Sequence, residues 1–132
     1  MTASARAREL VELARAAAAD KLARNVLAID VSERLVITDA FLIASAPNER
    51  QVEAIVEAIE ERLRTAGAKP VRREGERSGG WVLLDYVDIV VHVQHDEVRT
   101  FYALERLWKD CPVISLPDVE RRPAVKATSE ES

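Results

Sequence analysis

The stretch Trp81–Val93, WVLLDYVDIVVHV, constrains the fold more than any other part of the chain. Side chains alternate across a β-strand, so residues two apart share a face. A tight hairpin with Tyr86 and Val87 as its two loop residues sets Asp85 opposite Asp88, Leu83 opposite Val90 and Trp81 opposite His92. One face then carries Trp81, Leu83, Asp85, Asp88, Val90 and His92, and the other carries Val82, Leu84, Ile89, Val91 and Val93. The second set is wholly apolar and must be covered. The first mixes aromatic, acidic and imidazole groups. A slip of one residue would exchange the faces, so the pattern commits the chain to a sheet with one side under helices.

The flanking sequence supplies those helices. ARARELVELARAAAADKLARN contains no Gly or Pro, and Leu10, Leu13, Ala14 and Ala17 recur at helical spacing. NERQVEAIVEAIEERLRTAG places Val52, Ile55, Val56, Ile59 and Leu63 on one stripe. Asn48 is its N-cap, Gln51 completes a capping-box-like pair, and Gly67 suits the left-handed stop. VLAID and FLIAS are of strand length, with Leu35–Ile37 belonging to either strand or to their connection. KPVRRE reads as an edge strand, because Pro70 cannot donate to a ladder. DEVRTFYALERLWKD predicts a third helix capped by Asp96, with a Glu105–Lys109 pair, and CPVISLP a last short strand.

This order gives an α/β (α+β) domain with a mixed β-sheet flanked by helices. The span from FLIAS to KPVRR forms a crossover. The domain is expected over residues 1–117. Residues 118–132, which lose apolar periodicity, are expected to form a disordered tail.

With 19 Lys and Arg against 23 Asp and Glu, the formal charge is -4. Sequence-independent binding to a phosphate backbone needs clustered positive charge, so this balance favours a basic protein partner over nucleic acid. Cys111 is the only cysteine, which excludes an internal disulfide and fits a reducing, cytoplasmic setting. No apolar run approaches the ~18–20 residues of a membrane span.

Asp85, Asp88 and His92 are the first chemical candidates, since two carboxylates and an imidazole on adjacent strands could hold a divalent ion. No further acidic ligand is tied to them by sequence, and hairpin aspartates commonly cap turns, so a structural or docking role is preferred and no metal or cofactor is expected. Cys111, Ser45 and Ser78 lie in no nucleophile motif. EGERSGG matches neither a phosphate loop nor a dinucleotide fingerprint and reads as a flexible connection. The second candidate is an interaction surface in which Trp81, beside Leu83, is rimmed by Glu74, Asp85 and Asp88. Arg99 and Tyr102 border it from the next helix. The same pattern would serve a Trp81 buried in the core.

In order and spacing, TDAFLIASAPNERQV, EG, GWVLLDYVDIVVHV and R-x-FY-x-LE-x-LW resemble the ribosomal silencing factor (Iojap-related) family. The resemblance implies a nucleotidyltransferase-like fold without the catalytic motifs, and no enzymatic activity. It implies binding to the large ribosomal subunit through its fourteenth protein, at the intersubunit face. Joining of the small subunit would be blocked sterically, lowering translation in starvation or stationary phase, and homodimers are a family tendency. Carried over by position, the partner-facing role falls on Glu74, Trp81, Asp85, Tyr86, Asp88, Arg99 and Tyr102, while Leu84, Leu107 and Trp108 support the fold. A large-subunit assembly factor using the same face is the alternative, and a metal-dependent nucleotidyltransferase using Asp85 and Asp88 is the third reading. The family's hairpin carries Tyr-Gly-Asp where this chain has Tyr86-Val87-Asp88. Val tolerates positive φ poorly, so a longer turn or a bulge competes with the two-residue loop.

Overall fold

The structure, a computed structural model, describes residues 3–114. The expected tail at 118–132 lies outside them. Helix α1 (Ala5–Asp20) leads into the antiparallel strands β1 (Arg24–Asp30) and β2 (Ala40–Ala46), and α2 (Glu49–Thr65) follows. Next come β3 (Arg72–Glu74), a 3₁₀ turn at Arg77–Gly79, β4 (Trp81–Asp85) and β5 (Ile89–His95). The chain continues through α3 (Asp96–Tyr102) and α4 (Leu104–Leu107).

The sheet order is β1-β2-β5-β4-β3, and only the central β2–β5 pair is parallel. Helix α2 therefore carries the chain from the middle of the sheet to its far edge. That edge is the three-residue β3, whose residues Arg72, Arg73 and Glu74 are all exposed. A short, charged edge of this kind resists pairing with other chains. At the other edge the described part of the expected last strand bridges Ile29 to Val113, with Asp30 N bonded to Pro112 O and Ile114 N to Ala28 O at 2.8 Å each; its remainder lies outside the described residues.

Both helices act as their stripes require. Leu10, Val11, Ala14 and Ala17 of α1 and Val52, Ile55, Val56, Ile59 and Leu63 of α2 are buried against Val82, Leu84, Ile89, Val91 and Val93 of the sheet. Each of the Val, Leu and Ile side chains contributes roughly 1.5–3 kcal/mol by leaving water. The Asn48 side chain accepts from Gln51 N at 2.8 Å, as the capping pattern requires. Gln51 does not return the bond to Asn48. Its Nε2 donates to Lys21 O (2.9 Å) and Leu22 O (3.3 Å), tying the start of α2 to the end of α1. Gly67 takes φ 86 just beyond α2, as its position at the helix stop predicts.

The opposite face is covered only over β1, β2 and part of β5. There Ile29, Val31, Phe41, Ile43 and Cys111 cluster with Leu104 and Trp108. Cys111 behaves as a small buried hydrophobe. The expected single third helix is broken at Ala103, which adopts φ 47, so α3 and α4 are two short pieces. The cap of α3 is His95, whose Nδ1 accepts from Glu97 N at 3.1 Å, rather than Asp96. Leu107, assigned to fold support, is 69% exposed and does not serve it. The Glu105–Lys109 pair involves a side chain outside those described.

At the end of β1, Asp30 accepts from Ala3 N (2.8 Å), Ser32 N (2.9 Å) and Ser32 Oγ (2.6 Å). Burial acts to raise its pKa, but the Ser32 and Ala3 bonds outweigh it and hold the carboxyl below its ordinary value. Asp30→Ala is expected to lower stability by about 1–3 kcal/mol in urea melts, since it unties Ala3 and removes two Ser32 bonds. With the pKa depressed in the folded state, Asp30's contribution is present above about pH 4 and is lost as acid is added below that.

Candidate protein-binding face

Strand β4 shows where the sheet is uncovered. Val82 and Leu84 are fully buried, whereas Trp81, Leu83 and Asp85 are each partly exposed, the alternation of a strand with one dry and one wet side. The partition read from the sequence therefore holds. The register does not. Trp81 pairs with Gln94, Leu83 with His92 and Asp85 with Val90, two residues along from the expected pairing. A shift of two preserves the faces. The turn residues are Val87 and Asp88, with Tyr86 N bonded to Ile89 O at 2.9 Å.

Inside that turn Asp88 N also bonds Tyr86 O at 2.9 Å, closing a three-residue turn around Val87 at φ 73. This conformation is strained for a β-branched residue. Asp85 Oδ1 supports the turn by accepting from Val87 N at 2.8 Å. Val87→Gly is expected to raise stability by about 1 kcal/mol, strain relief exceeding the extra entropy of an unfolded Gly. An upward shift of the urea midpoint at constant slope would show it.

The face carries acidic groups alongside an aromatic cluster. Glu74 on β3 is exposed, Asp85 is partly so, and Arg72 lies between them, 3.0 Å from Glu74 Oε2 and 3.4 Å from Asp85 Oδ2. Arg72 was not singled out from the sequence. Its signal was present in RRE, where Arg72 and Glu74, two apart on a strand, share a side. Asp88 is partly exposed in the turn, and its carbonyl accepts from Asp39 N at 3.0 Å. Gly75, after Glu74, takes φ 86 where a Cβ would collide with the Trp81 carbonyl oxygen, so EGERSGG is a fitted connection rather than a loose one.

Trp81 and His92 form the centre. Trp81 Nε1 donates to His92 Nδ1 at 3.2 Å, and the Phe41 ring meets His92 edge-on with centroids 5.1 Å apart. His92 is 6% exposed, and burial pushes its pKa down to about 4, so the ring is neutral at pH 7. Beside them, Leu35, Ile37, Phe41, Leu83 and Val90 line a groove of about 500 Å³. Leu35–Ile37 thus belongs to the β1–β2 connection, with Val36 fully exposed and Ile37 79% exposed.

Two of the proposed partner-facing residues are not on this surface. Tyr86 falls on the helix-covered side by strict alternation from Leu84 and is only 6% exposed. Burial, then the nearby Glu60 carboxylate, push its pKa up to about 12. Arg99 is 7% exposed because its Nη1 donates to Asn25 O and, at 3.4 Å, to Ser45 Oγ, pinning α3 to the sheet. The Tyr102 side chain lies outside those described. Glu74, Trp81 and Asp85 share the uncovered side of β3 and β4, and Asp88 is partly exposed in the turn beyond Asp85. Of the three groups in the metal reading, Asp85 is engaged by Val87 N and Arg72, and His92 Nδ1 by Trp81. Among the described residues no group of three or more His, Cys, Asp or Glu is placed to hold an ion. No helix among them is long and apolar enough to cross a membrane.

The model of the family "Ribosomal silencing factor during starvation" matches residues 4–132. This chain belongs to that family. It is 40% identical over 111 residues to the ribosomal silencing factor of Halalkalibacterium halodurans, covering 84% of this chain and 95% of that one. A crystal structure from Chromobacterium violaceum superposes with a TM-score of 0.74 at 32% identity, over 89% of this chain and 97% of that chain. A mouse protein named for mitochondrial assembly of the ribosomal large subunit is 30% identical over 89 residues, 65% of this chain and 39% of its own length. The mixed sheet flanked by helices is thus the architecture of the ribosomal silencing factor family.

Proposed function

We propose that this protein is a translational repressor that binds the large ribosomal subunit through the subunit's fourteenth protein and sterically blocks joining of the small subunit. What supports the reading is the half-covered sheet of this family member, whose exposed side carries Trp81, Leu83 and Asp85 of β4 with Glu74 on the neighbouring strand. An aromatic anchor with an acidic rim complements a basic protein surface, and opposite potentials speed encounter. Excluded volume at an intersubunit face then suffices for repression. No substrate is transformed. Potency follows from affinity and concentration relative to the competing small subunit, which suits a factor acting in the cytoplasm during starvation or stationary phase. As in the family generally, the working form is read as a homodimer.

Purified protein added to separated subunits is expected to co-sediment with large subunits and to reduce the joined-ribosome peak in proportion to its concentration. Protein that stays at the top of the gradient at micromolar subunit concentration would refute the reading. The mouse relative's name favours a second role, in which the same face docks on maturing large subunits. Depletion that accumulates unprocessed large-subunit precursors, without excess joined ribosomes in starvation, would select it.

A further inference from the structure

The groove beside Trp81 contains a feature that the anchor-and-rim reading leaves unused. His92 and Thr38 both line it, and His92 Nε2 and Thr38 Oγ1 are sealed from solvent with no hydrogen-bond partner. His92 Nδ1 accepts the Trp81 N–H, so the proton of the neutral ring sits on Nε2, a donor with nothing to donate to. Unpaired buried polar groups are few in native proteins, and those that persist call for an explanation. The walls are otherwise apolar, from Leu35, Ile37, Phe41, Leu83 and Val90. At the mouth, Ile37 is 79% and Val87 48% exposed, and the charged lining is Asp85 and Arg72, with a second carboxylate, Glu74, 3.0 Å from Arg72.

We propose that this groove receives an aliphatic side chain of a basic segment of the partner protein, and that its insertion parts the side chains sealing His92 Nε2 and Thr38 Oγ1 so that both reach a backbone carbonyl of that segment. The inference rests on the docking reading above and specifies its chemistry. The volume, about 500 Å³, accommodates a side chain with its adjoining peptide. Lys or Arg residues flanking the inserted side chain match the acidic excess at the mouth. Occupation would cover the exposed Ile37 and Val87 and satisfy two otherwise orphaned polar atoms.

The test measures binding of purified large subunits to wild type, Leu83→Lys, Thr38→Val and His92→Phe, with each variant's fold checked by its melting profile. Leu83 is partly exposed, so Leu83→Lys fills the groove and adds a repelling charge without emptying the core. It is expected to weaken binding at least 10-fold. Thr38→Val keeps side-chain volume while deleting one polar atom and is expected to cost about 5- to 10-fold; His92→Phe adds volume and removes both ring nitrogens, the acceptor of Trp81 Nε1 among them, so its loss, expected to be at least as large, reads the groove and the Trp81 contact together. If all three bind like wild type while Trp81→Ala does not, the groove proposal is overturned and the docking reading stands. If wild type itself fails to bind, both fall. If Leu83→Lys converts a dimer to a monomer in light scattering but leaves subunit binding unchanged, the occupant is a second copy of this chain and the proposal is likewise overturned.

Discussion

Replacing Trp81 with Ala is expected to weaken large-subunit binding at least ~30-fold, the consequence of losing an interface anchor worth about 2 kcal/mol or more. Trp81 is only partly buried on a face that no helix covers, so the truncated protein should still fold. The helix-covered side of β4, Val82 and Leu84, is untouched by the change. A smaller stability loss, about 1–3 kcal/mol, is expected because His92 Nδ1 loses its donor and apolar surface is re-exposed. Circular dichroism and co-sedimentation separate the two effects. Wild-type affinity in a folded Trp81→Ala variant would remove the anchor from the account. Outright unfolding would make Trp81 a core residue. Trp81→Phe is the informative intermediate, since it keeps an aromatic ring but leaves His92 Nδ1 unpaired.

The second large effect is on acid stability. His92 titrates near 6.5 when unfolded and at about 4 in the native protein, because burial penalises its charged form. Between those values the unfolded chain holds a proton that the folded chain refuses. Stability is therefore fully present above about pH 6.5 and is lost progressively as pH falls toward 4. The gap amounts to about 3 kcal/mol, at about 1.4 kcal/mol per unit. The rings against His92 are Trp81 and Phe41, both uncharged, and its cross-strand neighbours are Leu83 and Ile43, so burial acts on it without a paired carboxylate. His92→Phe is expected to be somewhat less stable than wild type at pH 7, where Trp81 Nε1 loses its acceptor. It should flatten the profile between pH 6.5 and 4. A wild-type curve that is level over this range, or an unaltered slope in the variant, would contradict the burial argument. Asp30 continues the acid loss below pH 4, so the two residues act in successive windows.

The sequence displayed those features that depend on period and composition. The stripes of α1 and α2, the Asn48 cap and the split of the hairpin into a dry and a wet face all follow from residues within a few positions of one another. The faces survived an error in register because moving one strand by two residues returns every side chain to the same side. The turn was misplaced since Val87 occupies a left-handed conformation that its side chain disfavours, and Tyr86, read as a loop residue, instead continues the alternation onto the helix-covered side. Arg99 was missed as a structural residue for a different reason. Its partners are the Asn25 carbonyl and Ser45 hydroxyl, 74 and 54 positions away, and no local pattern announces them. The break at Ala103 was equally silent, because Ala is the best helix former and only the fold's demand for a change of direction places it at φ 47. Of the seven candidate site residues, Glu74, Trp81 and Asp85 lie on the uncovered side of β3 and β4, with Asp88 partly exposed in the turn beyond. These were the ones whose placement needed only alternation and proximity to the hairpin.

The parallel pairing of β2 with β5 sets a timetable for synthesis. Ala40 meets Ile89, and the register runs to Ala46 with His95, so each β2 residue waits for one 49 positions downstream. Until that length has left the ribosome, β2, buried along its whole length in the finished protein, has β1 on one side and an open apolar ladder on the other. High contact order of this kind slows folding and prolongs exposure of aggregation-prone edges. Nascent chains stalled before Ile89 should therefore be chaperone clients, whereas release beyond His95 lets the β4–β5 hairpin slot in and seal the sheet.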